Sequence, residues 1–331
     1  MLNTASGSAH PQHGSSDASG DSLRPAEMPP ALFVPVPGGV RATELTRGPW
    51  ANQVMHGGAI CGLLGWAVET ELRRLGSTSQ ICSRLTVEIL SGMPMAQYAV
   101  TARAVKPGRR TSVIEAELRA VEAPSSATEP LTGGRLVARA SSQWLAPTVP
   151  LTAADAHETS SDGAVLPPIP LERADPGAHS EIEYPRPGFN ADGVDIRFVD
   201  GSTEEPGRGL TWIRLDHELM AGETTTPFGR IATLCDLGAA VGWDYSPSGG
   251  AYINTDVTLQ LLREPVGEWI LFDSATDPAP HGLACCRSEI ADQQGLLGWV
   301  LQSQVEAPPE MGFPGGMNVA VAAREAAASA G

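Results

Sequence analysis

An internal repeat constrains the fold of this chain more than any other feature of its sequence. Gly58 opens the apolar run GAICGLLGWAVE, and Gly229 opens a second one, GRIATLCDLGAAVGW. Arg84 and Asp256 then open the segments RLTVEIL and DVTLQLL, in which apolar and polar residues alternate. Gly229 lies 171 residues after Gly58 and Asp256 lies 172 residues after Arg84, so two independent landmarks share nearly one offset. The sequence therefore predicts one structural unit that occurs twice.

Each unit is predicted to hold a strand, then one helix, then a series of antiparallel strands. The two glycine-initiated runs are apolar nearly all round, which is typical of a helix enclosed by other structure. The alternating segments predict strands, and the later strand patterns span 98–104 and 112–121 in the first unit and 269–275 and 283–290 in the second. The last strand of each unit carries a glutamine, Gln143 in the first and Gln302 or Gln304 in the second. Antiparallel strands on a buried helix place the chain in the α+β class.

Composition sets the boundaries of these units. Residues 1–30 contain almost no large apolar side chain, and residues 147–193 are polar with many prolines. Such segments bury too little apolar surface to offset the entropy of ordering. We therefore expect a disordered tail at 1–30, ordered domains at 31–146 and 194–307, a linker at 147–193 and a flexible tail at 308–331.

Charge, hydropathy and cysteine content exclude several classes of function. The 38 acidic and 22 basic residues give a net charge of −16, which disfavours a nucleic-acid partner. The longest uncharged apolar run, 59–68, has about half the length that a bilayer requires, and no secretory signal is visible, so no membrane partner is expected. Five cysteines without a CxxC pair favour reduced thiols and a cytoplasmic location.

Several motifs in the two units resemble those of one family. The second unit has Phe228-Gly229, Asp236, the runs INTDVTL (253–259) and REPVGEW (263–269), and Asp292 followed by Gly295, Gly298 and Gln302. The first unit has His56-Gly57-Gly58, then RLTV (84–87) and PGR (107–109). In this order they resemble the double-hotdog acyl-CoA thioesterases of the thioesterase-like superfamily.

The resemblance implies a tandem hotdog, with antiparallel sheets each wrapped around a long central helix. It also implies that the two sheets join edge to edge, with both helices on one side and only one of two pseudo-symmetric sites active. The implied substrate is a thioester of coenzyme A or of acyl-carrier protein, and no metal or organic cofactor is needed. The outer sheet edges would allow assembly into homo-oligomers.

Asp236 is the first candidate for catalysis. It lies within an otherwise apolar helical run, where an unpaired carboxylate is costly, and the equivalent position in the first unit is Gly65. The fold therefore does not require an acid there. A carboxylate at this place is suited to act as general base or nucleophile in thioester hydrolysis. The alternative is a core aspartate that caps a neighbouring loop.

His56, Gly57 and Gly58 form the second candidate group, at the start of the first helix. A helix N-terminus favours negative charge, which suits the oxyanion formed when a thioester carbonyl is attacked. In single-hotdog thioesterases an acid follows the histidine by nine residues, but here that position is Gly65, and Pro227 stands nine residues before Asp236. One unit thus retains the His-Gly-Gly turn and the other the acid. A tight turn with only a capping role is the alternative.

The resemblance implies three residues that orient the hydrolytic water: an Asp, a Ser or Thr, and a Gln. Asp236 fills the first position and Gln302 the third, with Gln304 as its alternative. Asn254 stands in the Ser/Thr position, which is a departure, although an amide both donates and accepts hydrogen bonds. Thr255 and Gly229 complete the candidate substrate-binding set, although Thr255 is predicted to face the other side of its strand.

Three functions remain open on sequence alone. The first is an acyl thioesterase, and the second is a non-hydrolytic acyl-binding or accessory protein, which Asn254 in the Ser/Thr position would favour. The third is a hotdog hydratase or dehydratase, which would need an Asp/His pair, and neither His217 nor His281 has a fixed spacing to Asp236. The basic turn 106–110 is either a solvated hairpin or a contact for the phosphates of coenzyme A.

Overall fold

The computed structural model describes residues 28–50, 54–121, 131, 133–148, 169–174, 186–203, 205–247 and 250–307. Both predicted tails, apart from 28–30, and most of the predicted linker lie outside these residues. The strands described for the first half run from Ala31 to Leu145, and those for the second half from Val194 to Glu306.

Each half contributes strands to an almost wholly antiparallel sheet. The first half supplies β1 (Ala31–Val36), β2 (Gly39–Ala42), β3 (Ile81–Ile89), β4 (Gln97–Lys106), β5 (Thr111–Val121) and β6 (Arg135–Leu145). The second supplies β7 (Val194–Asp200), β8 (Gly209–Leu215), β9 (Glu218–Met220), β10 (Tyr252–Asn254), β11 (Asp256–Leu261), β12 (Trp269–Ala279), β13 (Leu283–Asp292) and β14 (Gly295–Glu306).

All fourteen strands belong to one sheet. Its order is β7-β8-β12-β13-β14-β11-β3-β6-β5-β4-β2-β1-β9, with β10 paired to β14. The halves join edge to edge where β11 pairs antiparallel with β3, as the resemblance implied. The short β9 of the second half crosses to the far edge and pairs in parallel with β1.

A pseudo-twofold axis passes through the junction of the two halves. Thr86 and Thr258 are register partners across β3 and β11, and their hydroxyl oxygens lie 3.2 Å apart. These two residues are separated by the 172-residue offset found in the sequence. The repeated pattern is therefore a repeat of structure, and Thr86 faces its own counterpart across the junction.

The two halves differ in their helices. The first half has α1 (Gly57–Arg74), an 18-residue helix that packs on the sheet and on the helix of the other half. The prediction of one long helix in the second half is wrong. Its run is divided into α2 (Pro227–Leu234), a 3₁₀ turn at Cys235–Leu237 and the short α3 (Gly238–Val241).

Glycines and close packing explain this break. A Cβ at Gly238 would lie 2.2 Å from the Ser288 hydroxyl oxygen, and one at Gly242 would lie 2.4 Å from the Ser274 carbonyl. The backbone is thus pressed directly onto β12 and β13, where a side chain would not fit. Glycine also weakens a regular helix by about 1 kcal/mol, so the chain tightens into a 3₁₀ turn before this contact.

One hydrophobic core runs through both halves. Leu63 and Leu64 of α1, Phe228 of α2, Leu85 of β3 and Leu259 of β11 are fully or almost fully buried in the same cluster. The two predicted domains therefore share their interior. No helix within the described residues combines the length and apolar character needed to cross a bilayer.

Candidate active site

His56 forms the N-cap of α1. Its backbone is extended, and its imidazole Nδ1 accepts a hydrogen bond from the Gly58 N–H at 2.9 Å. The backbone N–H of His56 donates to the Thr46 carbonyl at 2.8 Å. The capping role expected of the His-Gly-Gly turn is therefore present, and it fixes the imidazole at the positive end of the helix dipole.

Asp236 lies against this turn, although it belongs to the other half of the chain. It sits in the 3₁₀ turn after α2, and α2 packs along α1. Its Oδ2 is 3.2 Å from His56 Nδ1, and both residues are 6% exposed. The histidine and the acid that the sequence separates between two units thus meet in one site.

Asn254 and Gln304 hold the other side of the Asp236 carboxylate. Asn254 Nδ2 donates to Asp236 Oδ1 at 2.7 Å, and Gln304 Nε2 donates to Asn254 Oδ1 at 3.1 Å. The two amides are register partners on β10 and β14, so they project from the same face. Because Gln304 occupies the Asn254 oxygen with a donor, the Asn254 amide is left with its N–H₂ directed at the carboxylate.

Gln302, the residue preferred from sequence, occupies a different place. It is fully buried, and its Nε2 donates to the backbone carbonyl of Asp236 at 2.9 Å. It therefore holds the 3₁₀ turn from behind rather than contacting the carboxylate. Gln304, its sequence alternative, is the amide that lies next to Asn254.

Gly57 brings the start of α1 very close to the carboxylate. A Cβ at this position would lie 2.5 Å from Asp236 Oδ2, which is closer than side-chain carbons ever pack. The Gly58 N–H is taken by His56, whereas the Gly57 N–H, the first of the helix, has no partner within the described residues. Gly57 therefore presents an unpaired donor next to an acid.

The electrostatics of His56 follow from its burial. Burial lowers the pKa of the imidazole below its usual value, and the neighbouring Asp236 carboxylate opposes that effect only in part. His56 is therefore neutral at pH 7. Since Nδ1 accepts from the Gly58 N–H, the proton of the neutral ring lies on Nε2.

Phe189 is a neighbour of the site that the sequence analysis missed. Its ring stacks on the His56 imidazole with centroids 4.4 Å apart and planes 20° apart, and it is fully buried. It lies in a short π-helical segment, Phe189–Gly193, within the predicted linker. The one signal was an aromatic side chain in an otherwise polar stretch, which does not by itself indicate a site.

Two predicted binding residues lie outside the cluster. Thr255 is exposed, and its hydroxyl donates to the Ser303 carbonyl at 3.0 Å, so it faces away from Asp236 as its strand position predicted. Gly229 is at the start of α2, where its N–H is bonded to the Thr226 hydroxyl at 2.9 Å. Within the described residues, neither is brought into contact with the carboxylate.

The pseudo-symmetric position holds an apolar contact instead of a site. Gly65 stands where the other half has Asp236, and a Cβ there would lie 2.8 Å from that of Ala232. The strand registers make Trp144 the first-half equivalent of Gln304, and Trp144 packs edge-on against Phe228 with ring centroids 4.9 Å apart. Gln143, the glutamine of the first unit, is on the other face of β6.

A cavity of about 390 Å³ lies at the mouth of this second position. Its lining includes Trp66, Glu69 and Arg73 of α1 and the segment from Glu223 to Thr226. Its charged groups are partly paired, because Glu69 accepts from both Arg73 and Thr226. None of the described residues that line the cavity is a histidine, so it lacks a carboxylate–imidazole pair.

The basic turn after β4 lies far from His56. The carbonyl of Gly108 accepts a hydrogen bond from Gln80, which follows the C-terminal end of α1. His56 is at the opposite end of this helix, which is about 27 Å long. The geometry favours the solvated hairpin over a phosphate contact for this turn.

Asp292, one of the residues that carry the family resemblance, has a structural role. Its carboxylate is buried and receives two bonds of 2.6 Å from Arg263. It also accepts the backbone N–H groups of Val266 and Gln294, both at 2.8 Å. This motif therefore joins two loops rather than entering the candidate site. No group of three His, Cys, Asp or Glu side chains able to hold a metal ion occurs among the residues described.

Comparison with protein families identifies both halves of the chain. Residues 46–142 match the sequence profile of the acyl-CoA thioesterase N-terminal domain, and residues 165–305 match that of the C-terminal domain. No protein of curated function matches the chain.

Solved structures share the fold at low sequence identity. A hot-dog-fold protein of unknown function from Alicyclobacillus acidocaldarius is 17% identical, with a TM-score of 0.58 over 81% of this chain and 92% of its own. The TesB protein of Mycobacterium avium subsp. paratuberculosis is 14% identical, with a TM-score of 0.55 over 83% of this chain and 96% of its own. Acyl-CoA thioesterase II TesB2 of Mycobacterium marinum is 14% identical, with a TM-score of 0.51 over 82% and 94%.

Proposed function

Because the chain belongs to the acyl-CoA thioesterase family, we propose that it hydrolyses acyl thioesters with a water molecule activated by Asp236. The substrate is a thioester of coenzyme A or of acyl-carrier protein. The observation that carries this proposal is the 3.2 Å approach of the Asp236 carboxylate to His56, next to the Gly57 N–H, which has no partner in the described part of the chain. A proton acceptor and a donor for the carbonyl oxygen thus lie side by side.

The proposed first step is attack of water on the thioester carbonyl carbon. Asp236 takes the proton of the attacking water as the new C–O bond forms. The carboxyl O–H that results points to the neutral His56 Nδ1, 3.2 Å away, which accepts it in place of the Gly58 N–H. The Gly57 N–H, at the positive end of α1, donates to the oxyanion that forms at the same time.

The proposed second step is collapse of the tetrahedral intermediate. The C–S bond breaks, and the thiolate leaves with the proton that Asp236 held. The products are a carboxylic acid and a free thiol, and Asp236 returns to its carboxylate form. Each role belongs to a side chain or backbone group of this chain, so the proposed cycle draws on no metal or organic cofactor.

Asn254 and Gln304 are proposed to position the water. Asn254 binds Oδ1 and leaves the remaining lone pairs of the carboxylate for the water. Gln304 Oε1 is buried and has no hydrogen-bond partner among the described residues, so it is available to accept the second water proton. In this scheme Asn254 replaces the Ser or Thr of the family as a donor, and Gln302 supports the turn.

Release of free thiol from a panel of acyl-CoA esters tests the proposed function. Wild type is expected to turn over at least one ester, and Asp236→Ala is expected to lose that turnover while remaining folded. Asp277→Ala is the control, because this carboxylate is exposed and paired with Arg287 on the sheet. Turnover by Asp236→Ala at the wild-type rate would refute the assignment of the site.

Two other functions are tested in the same assay. A non-hydrolytic acyl-binding protein, which Asn254 in the Ser/Thr position favours, would bind an uncleavable thioether analogue and release no thiol from any ester. A hydratase is favoured by the His56–Asp236 pair, which the sequence did not place together. It would change the absorbance of an enoyl thioester without releasing thiol.

The cellular setting proposed for this enzyme follows from its thiols. All five cysteines are free, which suits a reducing cytoplasm. The proposed protomer consists of two hotdog units, 31–146 and 194–307, which form the single active site together. Further assembly would use the outer strands of the sheet.

A further inference from the structure

We propose that Phe189 is a positioning residue that clamps the His56 imidazole in the orientation used by the active site. The proposal rests on the thioesterase function proposed above. Phe189 covers one face of the imidazole, nearly parallel to it at 4.4 Å, and no part of its ring is exposed. It comes from the segment before the second half, so it forms a third wall of a site built from both halves.

The Phe189 ring is itself held firmly. Its backbone N–H donates to the Arg47 carbonyl at 2.8 Å, in the segment that also binds the His56 backbone. Asp192 closes the segment by accepting the Gly188 N–H at 3.1 Å and by pairing with Arg186 at 2.9 Å. On the other side, a Cβ at Gly58 would lie 3.0 Å from the Phe189 ring, so the aromatic edge reaches the first turn of α1.

The orientation of the imidazole matters because its two nitrogens have different tasks. Nδ1 faces both the Gly58 N–H and Asp236 Oδ2. Rotation of the ring about its Cβ–Cγ bond would carry Nδ1 away from both partners. A parallel aromatic ring at 4.4 Å obstructs that rotation, and it also keeps water from one face of the imidazole.

The charged surroundings of His56 are few. Asp236 is the one carboxylate within 4 Å of the imidazole nitrogens among the described residues. The segments packed beside His56 carry other charged residues. Arg47 is half-buried, Glu44 is exposed, and Asp192 is paired with Arg186. Burial is the larger influence on the His56 pKa, which it lowers. Loss of the Phe189 ring should therefore let the imidazole titrate closer to its ordinary value.

Phe189→Leu tests this proposal, because leucine keeps an apolar side chain but removes the flat ring. The matched control is Phe272→Leu, which changes another fully buried phenylalanine, on β12. The readouts are the pH dependence of kcat/KM for thiol release and the NMR titration of the histidine ring, with His56→Gln used to assign the His56 signal. Phe189→Met provides the same test should Phe189→Leu fail to fold.

In Phe189→Leu we expect kcat to fall by about 10-fold to 100-fold with little change in KM. We expect the midpoint of His56 titration to rise toward about 6.5, and the acid limb of kcat/KM to move with it. Phe272→Leu should leave both midpoints unchanged. Unchanged midpoints in Phe189→Leu, or equal shifts in both variants, would overturn the proposal. The NMR titration decides the matter even in a protein that hydrolyses no thioester, so failure of the clamp is distinguishable from failure of the proposed function.

Discussion

Replacement of Gly57 by alanine is the sharpest steric test of the site. The added Cβ would lie 2.5 Å from Asp236 Oδ2, whereas ordinary contact begins at 3.4 Å. Asp236 must therefore retreat by about 1 Å, and its carboxylate is held by a 2.7 Å bond to Asn254 and lies 3.2 Å from His56. A misplacement of about 1 Å costs about 100-fold in rate, or about 2.7 kcal/mol of transition-state stabilisation.

Gly108→Ala is the matched control for this change. Its Cβ would lie 2.6 Å from the Thr111 carbonyl oxygen, so it imposes a similar clash in the hairpin turn far from His56. Thiol release by the two variants, compared at equal amounts of folded protein, gives the answer. We expect Gly57→Ala to lose about 100-fold in kcat and Gly108→Ala to stay near wild type. Equal losses, or a wild-type rate in Gly57→Ala, would refute the placement of the reaction beside Gly57.

Three further predictions concern stability and reactivity. Because burial lowers the pKa of His56, the unfolded chain binds more protons than the folded chain below about pH 6.5. The urea midpoint of unfolding should therefore decrease as the pH is lowered through this range, and more steeply in wild type than in His56→Gln. Parallel curves for the two proteins would contradict this. Asp292→Asn leaves the buried Arg263 without its counter-charge and should cost about 3–5 kcal/mol of unfolding free energy in urea titration, and a loss below about 1 kcal/mol would argue against the pair. Burial raises the thiol pKa of Cys82 and that of Cys286, the latter to about 12. The thiol pKa of Cys61 is raised by its hydrogen bond with Cys235 and also by burial. Ellman's reagent should therefore react rapidly in native protein with the half-buried Cys285 only, and fast labelling of two or more thiols would contradict the packing.

The sequence determined much of the fold because its periodicities were clear. The alternation in Arg84–Leu90 and Asp256–Leu262 predicted two strands, and the offset between them predicted a repeated unit. The edge-to-edge junction that the Thr86–Thr258 contact marks was implied by the family resemblance. The second helix was mispredicted as continuous, since an apolar run does not reveal that Gly238 lies directly against the sheet. That contact depends on tertiary packing, which local propensity does not encode.

The candidate site was predictable in its residue types but not in its geometry. An acid in an apolar helical run marked Asp236, and the His-Gly-Gly turn marked His56, yet their 3.2 Å approach depends on how α1 packs against α2. The choice between Gln302 and Gln304 depended on the pairing of β10 with β14, which places Gln304 opposite Asn254. Phe189 came from a proline-rich segment whose path no sequence pattern predicts.

The rate of thiol release by Asp236→Asn tests the central claim most directly. Asparagine keeps the shape of the side chain and can still accept the hydrogen bond from Asn254, but it cannot take a proton from water. With the best ester of the wild-type panel, we predict a loss of about 100-fold to 10,000-fold in kcat, with the variant folded and still binding an uncleavable analogue. Hydrolysis at the wild-type rate by Asp236→Asn would contradict the account, because the proton of the attacking water would then have another acceptor.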